Sequence, residues 1–151
     1  PEMHATLVAL KQKIVEEDRA RTVRREVQLL TEGEQFLAEN ATRPGVVTSE
    51  SGLQYRILEP GNDRRPGPKD EVTCRYTGRL VNGNEFDGSG DEPATFRLDG
   101  VIPGWAEGYQ LIGEGGRIEL FVPHQLAFRN RGPLAHRTVV FDVELISVND
   151  D

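Results

Sequence analysis

Aromatic side chains that stand outside any regular repeat are the strongest candidates for chemistry in this sequence. Phe86 lies in a predicted loop beside Asp87, Trp105 follows a Pro-Gly pair, and Phe128 closes the segment that begins at Pro123. Such rings can line a concave apolar pocket, which acts on a bound group through shape and desolvation. They can equally form a closed hydrophobic core, where most aromatic residues are found. The residues that either interpretation would bring together are Tyr76, Phe86, Phe96, Val101, Ile102, Trp105, Phe128 and Phe141.

Other kinds of active site find little support in the residues. His4, His124 and His136 are dispersed, with neither the spacing of a metal site nor that of a catalytic triad. Cys74 is the only cysteine, so neither an intrachain disulfide nor a cysteine-based zinc site is possible. It alternates onto the predicted buried face of a strand, which favours an inert core thiol. Hydrolytic and redox chemistry are therefore disfavoured, and no cofactor or metal is expected.

Composition and charge restrict the class of protein. The 151 residues carry 25 Asp and Glu against 18 Lys and Arg, a formal net charge of −7. Nucleic acids and anionic membranes need a cationic surface, so we expect neither as a partner. No apolar run reaches the roughly 18–20 residues of a membrane span, and we expect no signal peptide among these residues. Because the chain opens at Pro1 rather than Met, we expect a leader to have been removed.

Glycine and proline divide the chain into a helical part and a turn-rich part. Residues 1–42 contain one Gly and one Pro, whereas the other 15 Gly and 8 Pro all follow. Apolar residues at helical spacing form two stripes in the first part, which predicts a helix of about 35 residues. Pro44-Gly45 should end this helix near Asn40–Arg43. The stripes consist of Leu7, Leu10 and Ile14, and then of Val23, Val27, Leu30 and Leu37.

These stripes have two interpretations. The helix can lie on its own domain as an ordinary amphipathic element, or it can act as an arm that binds a partner or dimerises. The number of apolar positions favours the arm, because they would be hard to justify on an isolated helix. We therefore predict an arm over residues 1–42, a linker over residues 43–50 and a domain over residues 51–151.

From Gly45 onward the apolar period changes to two, which indicates strands with one buried and one solvent-facing side. One short helix is expected to begin near Pro103 and to carry Trp105, Tyr109 and Ile112. A short helix against a half-buried antiparallel sheet makes an α+β domain. The alternating apolar positions are Leu53, Tyr55 and Ile57; Val72, Cys74 and Tyr76; Phe96 and Leu98; Ile118, Leu120 and Val122; and Val139, Phe141, Val143 and Leu145.

Five ordered motifs resemble the FKBP family of peptidyl-prolyl cis–trans isomerases. They are Ser51-Gly52-Leu53-Gln54-Tyr55-Arg56-Ile57, Tyr76-Thr77-Gly78-Arg79-Leu80, Gly83-Asn84-Glu85-Phe86-Asp87, Val101-Ile102-Pro103-Gly104-Trp105 and Val140-Phe141-Asp142-Val143-Glu144-Leu145. The long first helix and two further segments resemble the macrophage infectivity potentiator (Mip) branch of that family. These segments are Phe36-Leu37-Ala38-Glu39-Asn40 and Pro44-Gly45-Val46-Val47.

The resemblance implies a fold and a site. The fold is an antiparallel sheet of about five to six strands around one short helix, preceded by the long helix. Trp105 would be the pocket floor, Asp87 the polar group beside the substrate carbonyl, and the Ile102 backbone N–H a donor to the bound peptide. The implied catalytic residues are Tyr76, Phe86, Asp87, Trp105 and Phe141, and the implied substrate-binding residues are Phe96, Val101, Ile102, Ala127, Phe128 and Leu134.

The same resemblance implies an activity and partners. The activity is rotation of X–Pro bonds in protein clients, with chaperone-like capture between two helical arms. The implied partners are proline-containing unfolded or extracytoplasmic proteins, the macrolides tacrolimus and rapamycin, and a second copy bound through the N-terminal helix as a homodimer. Members of the branch are bacterial, so the periplasm or cell surface is the expected location, with the cytoplasm as the alternative.

Departures from the family pattern favour an alternative function, a non-catalytic or weakly catalytic peptide-binding chaperone on the same scaffold. Phe128 stands where the family usually has Tyr, so it lacks the hydroxyl that donates to a bound peptide or macrolide. Arg129 stands in place of a Gly, so a turn with positive φ would have to be rebuilt there. The segment from Arg129 to Arg137 is also shorter than usual, which leaves Pro133 and Leu134 as its apolar residues.

Overall fold

The computed structural model describes the backbone of residues 2–149 and the side chains from residue 19 onward. Within that range the chain forms one long helix, one short helix and seven strands of one antiparallel sheet. The predicted α+β architecture is confirmed, although the sheet has more strands than expected. The elements are α1 (Glu2–Asn40), β1 (Val47–Thr48), β2 (Gln54–Glu59), β3 (Glu71–Leu80), β4 (Glu85–Gly88), β5 (Ala94–Arg97), α2 (Pro103–Tyr109), β6 (Arg117–Val122) and β7 (Val139–Asn149).

Helix α1 ends where the sequence predicts. Its last residue is Asn40, and the Pro44-Gly45 pair follows in a turn with Gly45 at φ +82°. The first apolar stripe, over residues 7–14, lies outside the part of the chain whose side chains are described. In the second stripe, the side chains of Val23 and Val27 are 55% and 54% exposed.

The sheet places β6 and β7 at its centre, and β3 pairs with β7 along its length. The strand order is β1-β2-β6-β7-β3-β4, and β5 shares the outer edge of β3 with β4. Helix α2 covers the inner face of the sheet, and the apolar core fills the space between them. The innermost core side chains are Leu53, Val72, Cys74, Tyr109, Ile112, Leu120, Val122, Val139 and Leu145, all 0% exposed.

Cys74 is a core residue, as the alternation predicts. It is fully buried, and the Tyr109 hydroxyl donates a hydrogen bond to its sulfur at 3.1 Å. Burial raises the pKa of the Cys74 thiol, although the Tyr109 hydrogen bond opposes part of that effect. A buried thiol with a raised pKa is a poor nucleophile.

The last turns of α1 pack on the outer face of the sheet through an apolar contact. The Phe36 and Phe121 ring centroids lie 6.1 Å apart, and Phe121 pairs across the sheet with buried Val140. Gly33 allows α1 to approach Thr138, the residue that precedes β7, closely. A Cβ at Gly33 would lie 2.3 Å from Oγ1 of Thr138, so no larger residue fits without a shift.

A buried polar pair joins the end of α1 to β2. The Asn40 side chain is 2% exposed, and its amide donates to Oε1 of Gln54 at 2.9 Å. The Gln54 amide in turn donates to the Leu37 carbonyl at 2.9 Å, and Arg43 donates to Oδ1 of Asn40 at 2.9 Å. Because these groups satisfy one another, the end of the helix is attached to the domain without an unpaired amide at its centre.

Several details of the predicted strand pattern are wrong. On the side predicted to face solvent, Glu119 and Val140 are only 9% and 7% exposed. Gln54, predicted to face solvent, is 5% exposed because α1 covers it, whereas Ile57, predicted to be buried, is 40% exposed. The pairing of β1 with β2 ends at Tyr55, so Ile57 lies on a free edge of the sheet. Phe86 and Asp87, predicted to lie in a loop, belong to β4. A four-residue strand with one large apolar residue is too short for its alternation to be visible.

Among residues 2–149, no helix combines the length and the apolar character that a membrane span requires.

Candidate active site: an aromatic pocket

A pocket of about 250 Å³ opens between the start of α2 and the centre of the sheet. Eight of the eleven site residues predicted from the sequence line it. They come from β3, β4, β5, α2 and β7 and from the segments that flank α2 and follow β6. The lining residues are Tyr76, Asp87, Phe96, Gly100, Val101, Ile102, Trp105, Phe128 and Phe141.

Trp105 lies at the base of the pocket and is 6% exposed. Its ring meets four others edge-on: Tyr76 at 4.8 Å, Phe141 at 5.0 Å, Phe96 at 5.3 Å and Tyr109 at 5.6 Å between centroids. Edge-to-face contacts contribute about 0.5–1.5 kcal/mol each beyond the burial of apolar area. The floor is therefore a rigid apolar surface rather than a flexible one.

Gly78 makes room for the rings of the inner wall. It lies in the middle of β3, where a Cβ would be 2.8 Å from Cε1 of Phe141 and 2.9 Å from Cζ of Phe86. No role in the site is predicted for Gly78 from the sequence. A glycine inside a long strand often marks a close approach by another group, and that signal could have found it.

Asp87 and Tyr76 form the polar part of the pocket. The Tyr76 hydroxyl donates to Oδ2 of Asp87 at 3.2 Å, and the Gly88 backbone N–H donates to Oδ1 at 2.8 Å. Burial raises the pKa of the Tyr76 phenol, and the Asp87 carboxylate raises that pKa further. The phenol therefore stays protonated at neutral pH and keeps its hydrogen bond.

The start of α2 brings a backbone donor to the wall. Ile102 precedes the helix, and its carbonyl accepts the N–H groups of Trp105 at 3.0 Å and Ala106 at 3.2 Å. Pro103 follows at the first helical position, which favours this start. The Ile102 N–H itself finds no acceptor within the described part of the chain. A peptide carbonyl placed over Val101 and Ile102 could accept from it.

The segment after β6 forms one rim of the pocket and keeps a turn of positive φ without a glycine. Arg129 has φ +55° and His136 has φ +63°, and the His136 N–H donates to the Arg129 carbonyl at 2.6 Å. We call residues 129–137 the rim loop. The expected rebuilding of the turn at Arg129 is wrong, because the arginine itself adopts the left-handed conformation, at a cost of about 1–2 kcal/mol.

Three predicted site residues do not line the pocket. Phe86 lies behind the wall, with its ring centroid 5.7 Å from that of Phe141 and 6.3 Å from that of Phe128. Ala127 is 6% exposed and belongs to the core. Leu134 is half-buried in the rim loop, away from the lining. Phe86 supports the rings that do form the wall.

A larger concavity of about 320 Å³ lies beside β3, β6 and β7, and its lining includes charged side chains. Burial raises the pKa of the Asp142 carboxyl there, although Arg79, 2.6 Å away, opposes that shift. Arg75, Arg117 and Glu144 complete its charged lining. Ion pairs and exposed polar groups do not form a desolvating surface, so the smaller aromatic pocket is the better candidate for the site. In the described residues, no three His, Cys, Asp or Glu side chains come together to hold a metal ion.

Comparison with known families identifies the domain that contains this pocket. The family described as "FKBP-type peptidyl-prolyl cis-trans isomerase" matches residues 62–146, more than half of the chain and all of the pocket lining. The chain belongs to this family. A second family, described as "Domain amino terminal to FKBP-type peptidyl-prolyl isomerase", matches residues 1–57. The resemblance indicated by the sequence motifs is thereby confirmed.

Individual relatives support both halves of this assignment. The chain is 41% identical to the FKBP-type peptidyl-prolyl cis-trans isomerase FkpA of Aeromonas hydrophila, over 97% of this chain and 57% of that protein. It is 44% identical to the outer membrane protein MIP of Legionella longbeachae, over 77% of this chain and 52% of that protein. The crystal structure of FkpA from Escherichia coli superposes with a TM-score of 0.85 at 38% identity, over 97% of this chain and 71% of that one. The chain spans about half the length of the curated relatives it matches.

Proposed function

We propose that this chain catalyses cis–trans isomerisation of X–Pro bonds in protein clients, with the proline held over Trp105. The observation that carries the proposal is the floor of the pocket. One indole ring, held by four edge-on aromatic rings, forms the base of an apolar pocket of about 250 Å³. Membership of the FKBP-type family supports the same activity.

The physical basis is the difference between the planar and the twisted amide. Rotation about a peptide bond meets a barrier of about 18–20 kcal/mol because it breaks amide resonance. The carbonyl dipole and the C–N double-bond character both fall as the bond twists. An apolar pocket therefore penalises the planar ground state more than the twisted transition state, and the reaction needs no nucleophile.

The polar groups would orient the bond as it turns. The Ile102 N–H is free to bind a peptide carbonyl, and Asp87 faces the same pocket. We assign Asp87 two roles: its charge acts on the rotating carbonyl, and its hydrogen bond fixes the Tyr76 wall. Trp105, Phe96 and Phe141 would surround the proline ring, and Phe86 would act through Phe141 and Phe128.

An isomerisation assay with matched carboxylate variants tests this proposal. A cis-enriched Ala-Leu-Pro-Phe peptide is followed by NMR exchange, which needs no coupling protease. The wild-type chain should accelerate the exchange. Asp87→Asn should lower kcat/KM about tenfold, because it removes the charge that would act on the rotating carbonyl at the mouth of the pocket. Asp63→Asn, an exposed carboxylate in the β2–β3 connection, is the control and should retain the rate. A wild-type rate equal to that of buffer would refute the proposal.

The second candidate is a peptide-binding chaperone with weak or no catalysis, and Phe128 is the observation that favours it. This residue lines the pocket but has no hydroxyl to donate to a bound peptide. In that case the chain would bind proline peptides and suppress aggregation of an unfolded client. The same samples would then show no acceleration of exchange.

The partners and the location are also proposals. We propose proline-containing unfolded or extracytoplasmic proteins as clients, tacrolimus and rapamycin as pocket ligands, and the periplasm or cell surface as the location. The relative called an outer membrane protein supports that location. We also keep the division into an arm over residues 1–42, a linker over residues 43–50 and a domain over residues 51–151 as a proposal.

We propose a homodimer joined through α1, because the exposed pair Val23 and Val27 lies on one side of this helix. Sedimentation of the full chain should show a dimer that Val23→Ser/Val27→Ser weakens. An unchanged dimer would mean that this pair is not in the interface.

A further inference from the structure

The pocket is bordered by a strongly basic segment in an acidic protein. No Asp or Glu occurs between Glu119 and Asp142, although the chain has a net charge of −7. The rim loop lies in this interval and carries three arginines and one histidine. Its charge therefore differs in sign from that of the protein as a whole.

Two of these arginines, Arg129 and Arg131, are exposed and closely follow Phe128, which lines the pocket. The Arg131 N–H donates to the carbonyl of Phe128 at 3.0 Å, so the backbone of both arginines lies within one turn of a residue that lines the pocket. The Arg129 side chain donates through Nε to the Gln125 carbonyl at 3.2 Å. Among the described residues neither Arg129 nor Arg131 has an acidic partner. Both guanidinium groups can therefore bind an external anion.

The other basic residues of the rim loop face the arm instead. Nε2 of His136 lies 3.7 Å from Oε1 of Glu26 on α1. Arg137 lines a small cleft against Gly33 of the same helix. The two ends of the loop thus have different roles: the second end contacts α1, and the first end borders the pocket.

A second segment of opposite charge borders the same pocket. No Lys or Arg occurs between Arg79 and Arg97, a stretch that carries four carboxylates, including the pocket-lining Asp87. A charged residue next to a bound proline would therefore meet a different environment on each side. Guanidinium groups bind carboxylates through two parallel hydrogen bonds, which gives the basic side the more specific contact.

We propose that Arg129 and Arg131 make this pocket selective for X–Pro bonds that carry an acidic residue next to the proline, because they bind its carboxylate at the rim. The inference rests on the proposed function, since it assumes that the pocket holds proline. The long-range field of the acidic chain opposes the approach of such a peptide. The selectivity is consequently a local property of the rim.

Matched peptides and arginine variants test the proposal. Three peptides carry Glu, Gln or Lys directly before proline, and three more carry the same residues directly after it. Isomerisation is measured by NMR exchange, and binding of fluorescein-labelled versions is measured by anisotropy. For the wild-type chain, kcat/KM and affinity for the Glu peptide should exceed those for the Lys peptide about three- to tenfold in one of the two series at low salt. We call this the Glu:Lys ratio, and it should shrink as salt is raised.

Arginine variants test whether the Glu:Lys ratio depends on Arg129 and Arg131. Arg131→Gln should reduce the Glu:Lys ratio, Arg129→Gln/Arg131→Gln should bring it close to one, and Arg131→Glu should invert it. Arg19→Gln/Arg21→Gln removes the same charge from exposed positions of α1 and should leave the ratio as it is. A ratio that is equal in the wild type and in the rim double variant, in both series, would overturn the proposal.

The two readouts separate this proposal from the proposed function. Failure to accelerate exchange of the uncharged Gln peptides refutes the isomerase function alone. The anisotropy ratio then still decides whether the rim selects acidic peptides. Circular dichroism melting of each variant checks that the fold is retained.

Discussion

The attachment of α1 to the sheet and the rim of the aromatic pocket each involve only a few residues, but they differ in packing and in backbone conformation. At the attachment, Asn40 and Gln54 are buried and hydrogen-bonded to each other, and Gly33 leaves no space beside Thr138. At the rim, Arg129 holds an unfavourable backbone conformation while its side chain is exposed. The junction is close-packed and its buried polar groups are hydrogen-bonded, whereas the rim is exposed to solvent and has a strained backbone.

The difference indicates that the junction fixes the position of α1, whereas the rim leaves side chains exposed to contact a ligand. A close-packed junction transmits any change in volume, because protein interiors have little free space. A strained, exposed loop can persist when its surroundings fix it, and such loops are common at binding sites. Substitutions at the junction should therefore alter stability, and substitutions at the rim should mainly alter binding.

The two largest effects are expected at the junction, from Gly33→Ala and from Asn40→Ala. Alanine normally stabilises a helix relative to glycine by about 0.5–1 kcal/mol. Here the new Cβ would meet Oγ1 of Thr138 at 2.3 Å, and overpacking costs about 1–3 kcal/mol. Urea denaturation should therefore show a net loss of stability. Thr138→Ala in the same chain removes the clashing oxygen and should restore much of that loss. Stabilisation by Gly33→Ala alone would show that α1 is not docked on the sheet.

Asn40→Ala should lower the free energy of unfolding by about 1–3 kcal/mol, because it leaves the buried Gln54 carbonyl oxygen without its donor. The double change Asn40→Leu/Gln54→Leu removes both partners and should cost less than the single change. Urea denaturation of the two variants measures this difference. Equal losses would contradict the assignment of Asn40 and Gln54 as a coupled pair.

At the rim, Phe128→Tyr should raise the affinity of the pocket for rapamycin. The added hydroxyl restores a hydrogen-bond donor at a residue that lines the pocket. One such bond contributes about 0.5–1.5 kcal/mol, up to roughly tenfold in affinity. A titration with rapamycin measures the gain, and thermal melting should show little change in stability. An unchanged dissociation constant would mean that the missing hydroxyl does not limit binding.

The smallest effect is expected from Arg129→Gly. Glycine removes a strain of about 1–2 kcal/mol at φ +55°, but its greater freedom in the unfolded chain offsets about 0.5–1 kcal/mol. The net result should be a slight stabilisation in a denaturant titration. Arg131→Gly, in the same loop but without positive φ, should instead be neutral or slightly destabilising. Equal changes in the free energy of unfolding for both variants would contradict the assignment of backbone strain to Arg129.

The elements of the fold could be predicted where one local signal dominates. Pro44-Gly45 stops α1 because neither residue suits a helix interior, and the alternation of β3 reflects one well-covered inner face. The burial of Gln54 could not be predicted in this way. It depends on α1 packing on the outer face, and the alternation of β2 contains no information about that contact.

Some residues of the site could be predicted from the sequence and others could not, because the roles of the latter also depend on contacts between distant elements. Family motifs mark Tyr76, Asp87 and Trp105, which the structure places in one pocket. They do not distinguish a ring that lines the pocket from one that supports it, such as Phe86. The role of Gly78 is also hidden, because its contribution is the space that it leaves for two rings from other strands.

Trp105 is the only tryptophan of the chain, so its fluorescence reports directly on the base of the pocket. The most direct test of the central claim is to titrate rapamycin while following Trp105 emission and X–Pro isomerisation in the same sample. If the bond rotates over Trp105, the emission change and the loss of activity should have the same midpoint. Isomerisation that persists after the emission change is complete would show that catalysis does not take place in this pocket.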